Sequence, residues 1–176
     1  YSKLLFDNRV RYCRPRLRSQ VVGLRYFNVY GPGESHKGTM ASVVWHLHRQ
    51  LQQTGKVKLF EGSHGYGAGE QRRDFVFVDD VAAVVLWFLE RAHLSGIFNV
   101  GTGISRSFNE VAAAIMAWHG VGELEYIGFP DHLKGRYQAF TEADIGALRE
   151  TGLDREFVPL EEGVRRYLDE QSRELL

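Results

Sequence analysis

Short β-type runs alternate along this chain with helical patterns, and that alternation restricts the fold more than any other feature. Residues 20–28, QVVGLRYFN, are rich in β-branched and aromatic side chains and end before the breaker Gly31-Pro32-Gly33. An apolar stripe with helical spacing then runs from Met40 to Leu51, and Gly55 ends it. Further strands are expected at 56–60, 74–78, 97–100 and 123–127, with helices from 79, from 107 and near the C terminus. Such alternation predicts an α/β fold.

Polar residues mark the starts of two of these helices. Asp79 and Asp80 are adjacent, so their carboxylates diverge on a helix, and we interpret them as helix-capping residues rather than as a catalytic pair. Ser107 and Glu110 have the spacing of a capping box, which predicts that a helix begins after Ser107.

The charge balance narrows the possible partners. The 176 residues include 22 basic and 22 acidic side chains, so neither nucleic acid nor a membrane is expected as the main partner. The only cysteine, Cys13, excludes a disulfide within the chain and a cysteine-based zinc site. His46 and His48 are two residues apart on a predicted helix and cannot share a metal there, so no metal site is predicted. Without a long apolar run, the chain is expected to be soluble and cytoplasmic.

The opening residues Tyr1-Ser2-Lys3 raise the question of a catalytic Tyr–Lys pair. Such a pair needs both side chains on one helix face, which requires a spacing of four residues. Tyr1 and Lys3 are two apart and differ by roughly 200° around the helix axis, so Tyr1 is not the partner of Lys3. The sequence opens without a Met, and no G-x-G-x-x-G fingerprint follows a strand anywhere in it. We therefore expect the C-terminal half of a longer protein, with the glycine-rich nucleotide-binding half upstream.

Several sequence blocks carry a resemblance to known enzymes. They are RYFNVYGPG at 25–33, SHKGTM at 35–40, FEGS at 60–63, RRDFVFVDDV at 72–81, NVGTG at 99–103 and YIGFPDHLKGRYQAFTEAD at 126–144. In this order the blocks resemble the extended short-chain dehydrogenase/reductase superfamily, whose members remodel nucleotide-activated sugars. Within it, the HKGTMAS, FEGS and GRYQAFT segments are similar to those of the ADP-L-glycero-D-manno-heptose 6-epimerase family. The similarity runs from the first residue nearly to the last.

The resemblance implies a Rossmann-type architecture. This chain would form the C-terminal part of a doubly wound parallel sheet together with a smaller α/β substrate-binding domain. Residues from about 1–34 and 75–105 would supply the last elements of the sheet, and residues from about 35–74 and 106–176 the substrate-binding domain. A ring-like homo-oligomer, a pentamer, is also implied by the family.

The implied activity is epimerisation at C6 of ADP-D-glycero-D-manno-heptose to the L-glycero form, for the lipopolysaccharide inner core. Tightly held NADP would oxidise the sugar transiently, and the same hydride would return to the other face of the keto intermediate. The net reaction is an isomerisation that consumes no cofactor. Because this chain has neither the glycine-rich loop nor the active-site tyrosine, it is expected to be inactive alone.

Two lysines receive catalytic roles from the resemblance. Lys3 matches the lysine of the family's Tyr-x-x-x-Lys motif, where it would orient the nicotinamide ribose and favour the ionised form of an upstream tyrosine. Lys37 matches a residue proposed as a second acid/base, a role that a lysine takes only where burial or a nearby cation disfavours its charged form. Val29 and Lys37 also match positions beside NADP.

Substrate-binding positions are transferred in the same way. They are Asn28, Thr39, His46, Phe60, Glu61, Gly62, Ser63, Arg73 and Tyr137. Arg73 has independent physical support, because a guanidinium fork suits the paired oxygens of a pyrophosphate. Asn28 follows a strand, at the edge where open α/β sheets bind ligands. The segment HGYGAGEQR, between FEGS and Arg73, is longer than in the family and predicts a lengthened surface loop.

Two alternatives stay open at this stage. One is a 4-epimerase or dehydratase of the same superfamily that acts on a UDP- or dTDP-sugar, although the SHKGTM and GRYQAFT segments argue against it. The other is a nucleotide-sugar binding module without activity. The first predicts that UDP-sugars bind better than ADP-heptose, which a comparison of affinities tests. The second predicts a gene that begins near Tyr1, which the sequence upstream of Tyr1 tests.

Overall fold

The computed structural model describes residues 1–130 and 137–174. In this part of the chain the α-helices are Ser2–Cys13 (α1), Val43–Thr54 (α2), Val78–Leu89 (α3), Phe108–His119 (α4), Gly146–Arg149 (α5) and Leu160–Glu174 (α6). The strands are Val22–Tyr26 (β1), Asn28–Tyr30 (β2), Lys56–Phe60 (β3), Arg72–Phe77 (β4), Gly96–Val100 (β5), Ser105–Ser107 (β6) and Glu123–Ile127 (β7). Short 3-10 segments cover Arg14–Arg16 and Ser35–Met40.

Parallel pairing dominates the sheets. β1 pairs with β5 in parallel, with Val22 opposite Gly96 and Tyr26 opposite Val100. β2 pairs in parallel with β4, and β4 also pairs with β6 in antiparallel orientation. β3 and β7 form a further parallel pair. Parallel strands need long crossover connections, here helical ones, so the predicted α/β class with a parallel sheet is confirmed.

Two clusters of buried apolar side chains hold these elements together. The larger packs α2, α4 and α6 against β3 and β4, and it includes Leu47, Val111 and Leu168. The second packs α3 against β5 and also takes in Leu148 and Leu153. Burial of one leucine stabilises the fold by roughly 1.5–3 kcal/mol relative to exposure. Because each cluster buries several such side chains from different elements, it holds segments that are distant in the sequence against each other. The division into a nucleotide-binding part and a substrate-binding part stays a prediction.

The helix that was expected from Met40 begins later. α2 starts at Val43, and the side chain of its cap residue Ser42 accepts a hydrogen bond from Trp45 N at 3.2 Å. Met40 lies in the preceding 3-10 segment and is 82% exposed, so its assignment to the helix stripe is wrong. With the helix starting at Val43, the N–H of Trp45 lies in the first turn and has no intrahelical acceptor, and the Ser42 side chain supplies one.

The capping predictions have different outcomes. The capping box of Ser107 and Glu110 is present at the start of α4 and is confirmed. No side chain caps α3, and the capping interpretation of Asp79 and Asp80 is therefore wrong. The fully buried Asp80 carboxylate accepts hydrogen bonds from Arg155 Nε at 2.9 Å and from the backbone N–H of residue 158 at 2.7 Å. A buried carboxylate needs such partners, and here they come from the C-terminal segment.

Candidate functional site

A cavity of about 180 Å³ lies between α2 and β3. Three of the residues expected to contact substrate line it: His46 on α2, Phe60 at the end of β3, and Tyr137. The other lining residues are Val43, Leu47, Gln50, Lys58, Leu59, Gln71 and Phe108. A mostly apolar wall with a few convergent polar groups is typical of a small-molecule site.

Arg73 lies on β4, packed against two of the aromatic residues that line this cavity. Its guanidinium carbon is 5.1 Å from the centre of the Tyr137 ring and 5.8 Å from that of Phe108. The residue is 8% exposed, and burial lowers the pKa of its guanidinium, while Tyr137 acts in the opposite direction.

Among the described residues, the Arg73 side chain has one hydrogen-bond acceptor. Its Nη1 donates to the carbonyl oxygen of Arg72 at 2.8 Å. Within residues 1–130 and 137–174, no carboxylate forms an ion pair with Arg73, in contrast to Arg72 and Arg106, which both approach Glu110. A guanidinium has five N–H donors, so this buried cation can still bind an anion.

The Tyr137 ring forms an aromatic wall next to this guanidinium. Phe129 meets the ring edge-on, with centroids 5.1 Å apart. Burial raises the pKa of the Tyr137 phenol, and the Arg73 cation counteracts part of that rise. At neutral pH the phenol is therefore uncharged, and its ring face stabilises Arg73 through a cation–π contact.

The segment at residues 60–63 is held by Gln71, a residue that the sequence interpretation missed. Gln71 is 2% exposed, and its Nε2 donates to the carbonyl oxygen of Glu61 at 3.1 Å and to Ser63 Oγ at 3.2 Å. Glu61 and Gly62 themselves are exposed. The buried carboxamide thus fixes the segment at 60–63 beside the cavity, and the substrate contacts assigned to this segment stay predictions.

Lys37 and Thr39 lie in the 3-10 segment Ser35–Met40, all of whose residues are exposed. Gly38 between them has φ 54° and ψ −124°, a conformation that favours glycine and kinks the segment. Neither Lys37 nor Thr39 lines the cavity between α2 and β3. Their catalytic, cofactor and substrate roles stay predictions.

Lys3 is exposed in the first turn of α1 and lines a separate open groove of about 1070 Å³. The groove runs between α1 and β1, and its wall includes Asp7 and Arg25, which form an ion pair. An ammonium group in an open groove has three donors that suit the hydroxyls of a ribose, so Lys3 fits a dinucleotide in this respect. Asn28 and Val29 begin β2, and their contacts, like that of Lys3, stay predictions.

Gln50 and Lys58 also line the cavity, and the sequence interpretation assigned a role to neither. Gln50 Oε1 accepts a hydrogen bond from the backbone N–H of Lys58 at 3.0 Å, which ties α2 to β3 at the cavity wall. One signal for Gln50 was available, because it is a polar residue on the apolar face of α2, three residues after Leu47 and seven after Val43. No comparable pattern marks Lys58.

Part of one sequence block that carried the family resemblance lies outside the described residues. Residues 131–136 include Gly135 and Arg136 of the GRYQAFT segment.

Across the described ranges, no group of three or more His, Cys, Asp or Glu side chains could hold a metal ion. Over that same portion of the chain, no helix combines the length and the apolar character needed to cross a membrane.

Comparison with known proteins connects this geometry to a family. A family model described as the NAD dependent epimerase/dehydratase family matches residues 1–101, which is more than half of the chain. The chain belongs to the NAD dependent epimerase/dehydratase family.

A curated relative supports a narrower resemblance within this epimerase/dehydratase family. The ADP-L-glycero-D-manno-heptose-6-epimerase of Alkalilimnicola ehrlichii is 59% identical over 169 residues. The match covers 96% of this chain and 53% of the relative, so the chain spans about half the length of the protein it matches. The resemblance inferred from the sequence blocks is confirmed.

Solved epimerase structures share the fold. Helicobacter pylori ADP-L-glycero-D-manno-heptose-6-epimerase superposes with a TM-score of 0.78 at 34% identity, over 96% of this chain and 49% of that one. Thermus thermophilus UDP-glucose 4-epimerase, solved in complex with NAD, superposes with a TM-score of 0.75 at 28% identity, over 96% of this chain and 51% of that one. These similarities confirm the Rossmann-type fold class.

Proposed function

We propose that the protein containing this chain interconverts the C6 epimers of ADP-glycero-D-manno-heptose. The observation that carries the proposal is the buried Arg73 guanidinium, which packs against two aromatic residues of the cavity and keeps donors for an anion. The 59% identity to an ADP-heptose epimerase supports the heptose as the sugar. Because the chain spans about half of that relative, the proposal concerns the whole protein.

In this proposal Arg73 binds the pyrophosphate of the nucleotide-sugar. A planar guanidinium donates parallel N–H bonds to a pair of phosphate oxygens, and such charge-assisted bonds are stronger in a buried site. Tyr137 orients the guanidinium by packing against its face. His46 and Phe60 line the adjacent cavity, which would receive one end of the substrate. The segment at 60–63, fixed by Gln71, would supply further polar contacts.

The two lysines would serve the chemistry at C6. When bound, NADP would supply reversible hydride exchange with the sugar. Lys3, at the exposed start of α1, would hydrogen-bond the cofactor ribose and place a positive charge near the acid/base tyrosine. Lys37 would exchange a proton with the C6 oxygen on the other face, while Thr39 and Asn28 would orient the heptose by hydrogen bonds.

The biological setting belongs to the same proposal. The L-glycero product would serve the lipopolysaccharide inner core, and the reaction would take place in the cytoplasm. NADP as the cofactor rather than NAD, and a homo-oligomeric ring, are also proposed. The family match supports the coarser statement, an NAD dependent epimerase/dehydratase acting on a nucleotide-sugar.

A comparison of nucleotide-sugars tests the proposal. The full-length protein is given ADP-D-glycero-D-manno-heptose, UDP-glucose or dTDP-glucose, and epimer formation is followed by NMR. We expect turnover of the ADP-heptose. In a parallel binding titration, the dissociation constants of the other two should be at least roughly ten-fold higher, a difference of about 1.4 kcal/mol or more in binding free energy. Tighter binding of UDP-glucose than of ADP-heptose would contradict the substrate assignment.

A second candidate function is 4-epimerisation of a UDP-sugar. The structural similarity to a UDP-glucose 4-epimerase at 28% identity favours it. Conversion of UDP-glucose in the same assay would replace the first proposal by this one. Binding of nucleotides without turnover of any sugar would instead support a nucleotide-sugar binding module.

A further inference from the structure

A buried carboxylate closes the base of the loop that carries Lys37 and Thr39. Glu34 is 3% exposed and lies immediately before the 3-10 segment Ser35–Met40. Its Oε2 accepts a hydrogen bond from Ser42 N at 2.7 Å, and its Oε1 accepts one from Ser42 Oγ at 2.6 Å. Both carboxylate oxygens are therefore occupied by one residue on the far side of the loop.

The loop between these two residues is not anchored by packing. Every residue of Ser35–Met40 is exposed. The backbone hydrogen bonds at its two ends are short-range, from Lys37 N to Glu34 O at 3.0 Å and from Ala41 N to Gly38 O at 3.1 Å. A segment with few buried apolar contacts opens easily, so the Glu34 carboxylate is the main restraint on its geometry.

Ser42 extends the same restraint to α2. Its hydroxyl donates to Glu34 and accepts a hydrogen bond from Trp45 N, which makes Ser42 the N-cap of the helix. His46, which lines the cavity, donates its backbone N–H to the Ser42 carbonyl at 3.1 Å. One carboxylate thus fixes the loop and the first turn of the cavity helix relative to each other.

We propose that Glu34 is a positioning residue that holds the Lys37 and Thr39 loop in register with α2 for the reaction at C6. The proposal rests on the proposed function, because it assigns that reaction to the loop. Glu34 itself does not touch the substrate, since it is buried and both of its oxygens are engaged. A carboxylate suits the task because hydrogen bonds to an ionised acceptor are about twice as strong as neutral ones.

Hydrogen exchange tests the restraint without any substrate. In Glu34→Gln the side chain keeps its shape but offers one acceptor oxygen, so one of the two Ser42 donors loses its partner. In the full-length protein we expect roughly ten-fold or greater loss of protection over residues 35–42, read by mass spectrometry. Glu170→Gln, at an exposed glutamate on α6, is the matched control and should leave this peptide unchanged.

Kinetics then separates positioning from general stability. We expect Glu34→Gln to lower kcat by roughly ten-fold or more while KM for ADP-heptose stays within about three-fold. Glu34 is not a lining residue of the cavity, and the bond from His46 N to the Ser42 carbonyl does not involve it. An unchanged kcat, unchanged exchange over residues 35–42, or a parallel loss of kcat, affinity and melting temperature would overturn the proposal. If the full-length protein epimerises no sugar, the proposed function fails, and the exchange result alone decides whether Glu34 holds the loop.

Discussion

Mild acid is expected to destabilise this protein through one buried imidazole. His48 on α2 is 4% exposed, and its Nδ1 lies 3.0 Å from Nε2 of His119 at the end of α4. Burial, assisted by the charges of His119 and Arg49, lowers the pKa of His48 from 6.5 to about 4. Below pH 6.5 the unfolded chain therefore binds a proton that the native state does not accept. Stability is lost as the pH falls from 6.5 towards 4.

The magnitude follows from these two pKa values. At pH 5 the imidazole is almost fully protonated in the unfolded chain and almost fully neutral in the native state. The free energy of unfolding is then lower than at pH 7 by about 2 kcal/mol from His48 alone. His119 acts in the same direction, because burial lowers its pKa as well.

Urea unfolding of the full-length protein at pH 7 and pH 5, at one ionic strength, measures this loss. In His48→Leu the titrating ring is replaced by an apolar side chain. The loss in the free energy of unfolding between pH 7 and pH 5 should therefore be smaller by about 2 kcal/mol. An NMR titration of the His48 imidazole gives its pKa directly. A midpoint near 6.5, or the same pH dependence in variant and parent, would refute the reasoning.

Three further predictions concern single substitutions. Arg73→Met should weaken ADP binding by roughly 10- to 150-fold in calorimetry, because charge-assisted hydrogen bonds worth about 1.5–3 kcal/mol are lost. The ADP affinity of Arg73→Lys should lie between those of Arg73→Met and the parent. Gly62→Ala places a Cβ 2.3 Å from the Tyr66 carbonyl oxygen and should lower the melting temperature, whereas Gly128→Ala, with nothing within 4 Å, should not. Asp80→Ala should cost about 2–4 kcal/mol in urea unfolding, because two donors lose their acceptor. Values near the parent's in any of the three would contradict the corresponding contact.

Helix and strand boundaries that depend on residues close together in the sequence could be predicted from local patterns. Ser107 and Glu110 are three residues apart, and their reciprocal capping bonds form within one turn, so the start of α4 could be read from the sequence. The strand ending at Val100 and the helix ending at Gly55 were predicted for the same reason. The early start assigned to α2 failed because Met40 matched the apolar spacing, whereas the Ser42 cap decided the boundary.

Long-range polar contacts could not be predicted from the sequence. Asp80 meets Arg155 across 75 positions, and His48 meets His119 across 71. No local pattern encodes such a pairing, because it is produced only when distant elements pack together. For this reason Asp80 was interpreted as a cap.

The candidate site was predicted mainly through family resemblance. His46, Phe60 and Tyr137 line one cavity, and Arg73 packs against the Tyr137 ring. For Arg73 the chemistry of the guanidinium alone pointed to a phosphate. Gln71 was missed because its contribution is a buried carboxamide that fixes the segment at 60–63, and burial of one glutamine cannot be predicted from spacing.

The central claim, hydride exchange at C6 of an ADP-heptose, is tested most directly with a labelled substrate. The full-length protein is incubated with ADP-D-glycero-D-manno-heptose that carries deuterium at C6, and the product is examined by NMR and mass spectrometry. The proposed function predicts the L-glycero epimer with deuterium retained at C6, because the same hydride leaves and returns. An unchanged D-glycero substrate, or an epimer that has exchanged its C6 deuterium for solvent hydrogen, would contradict it.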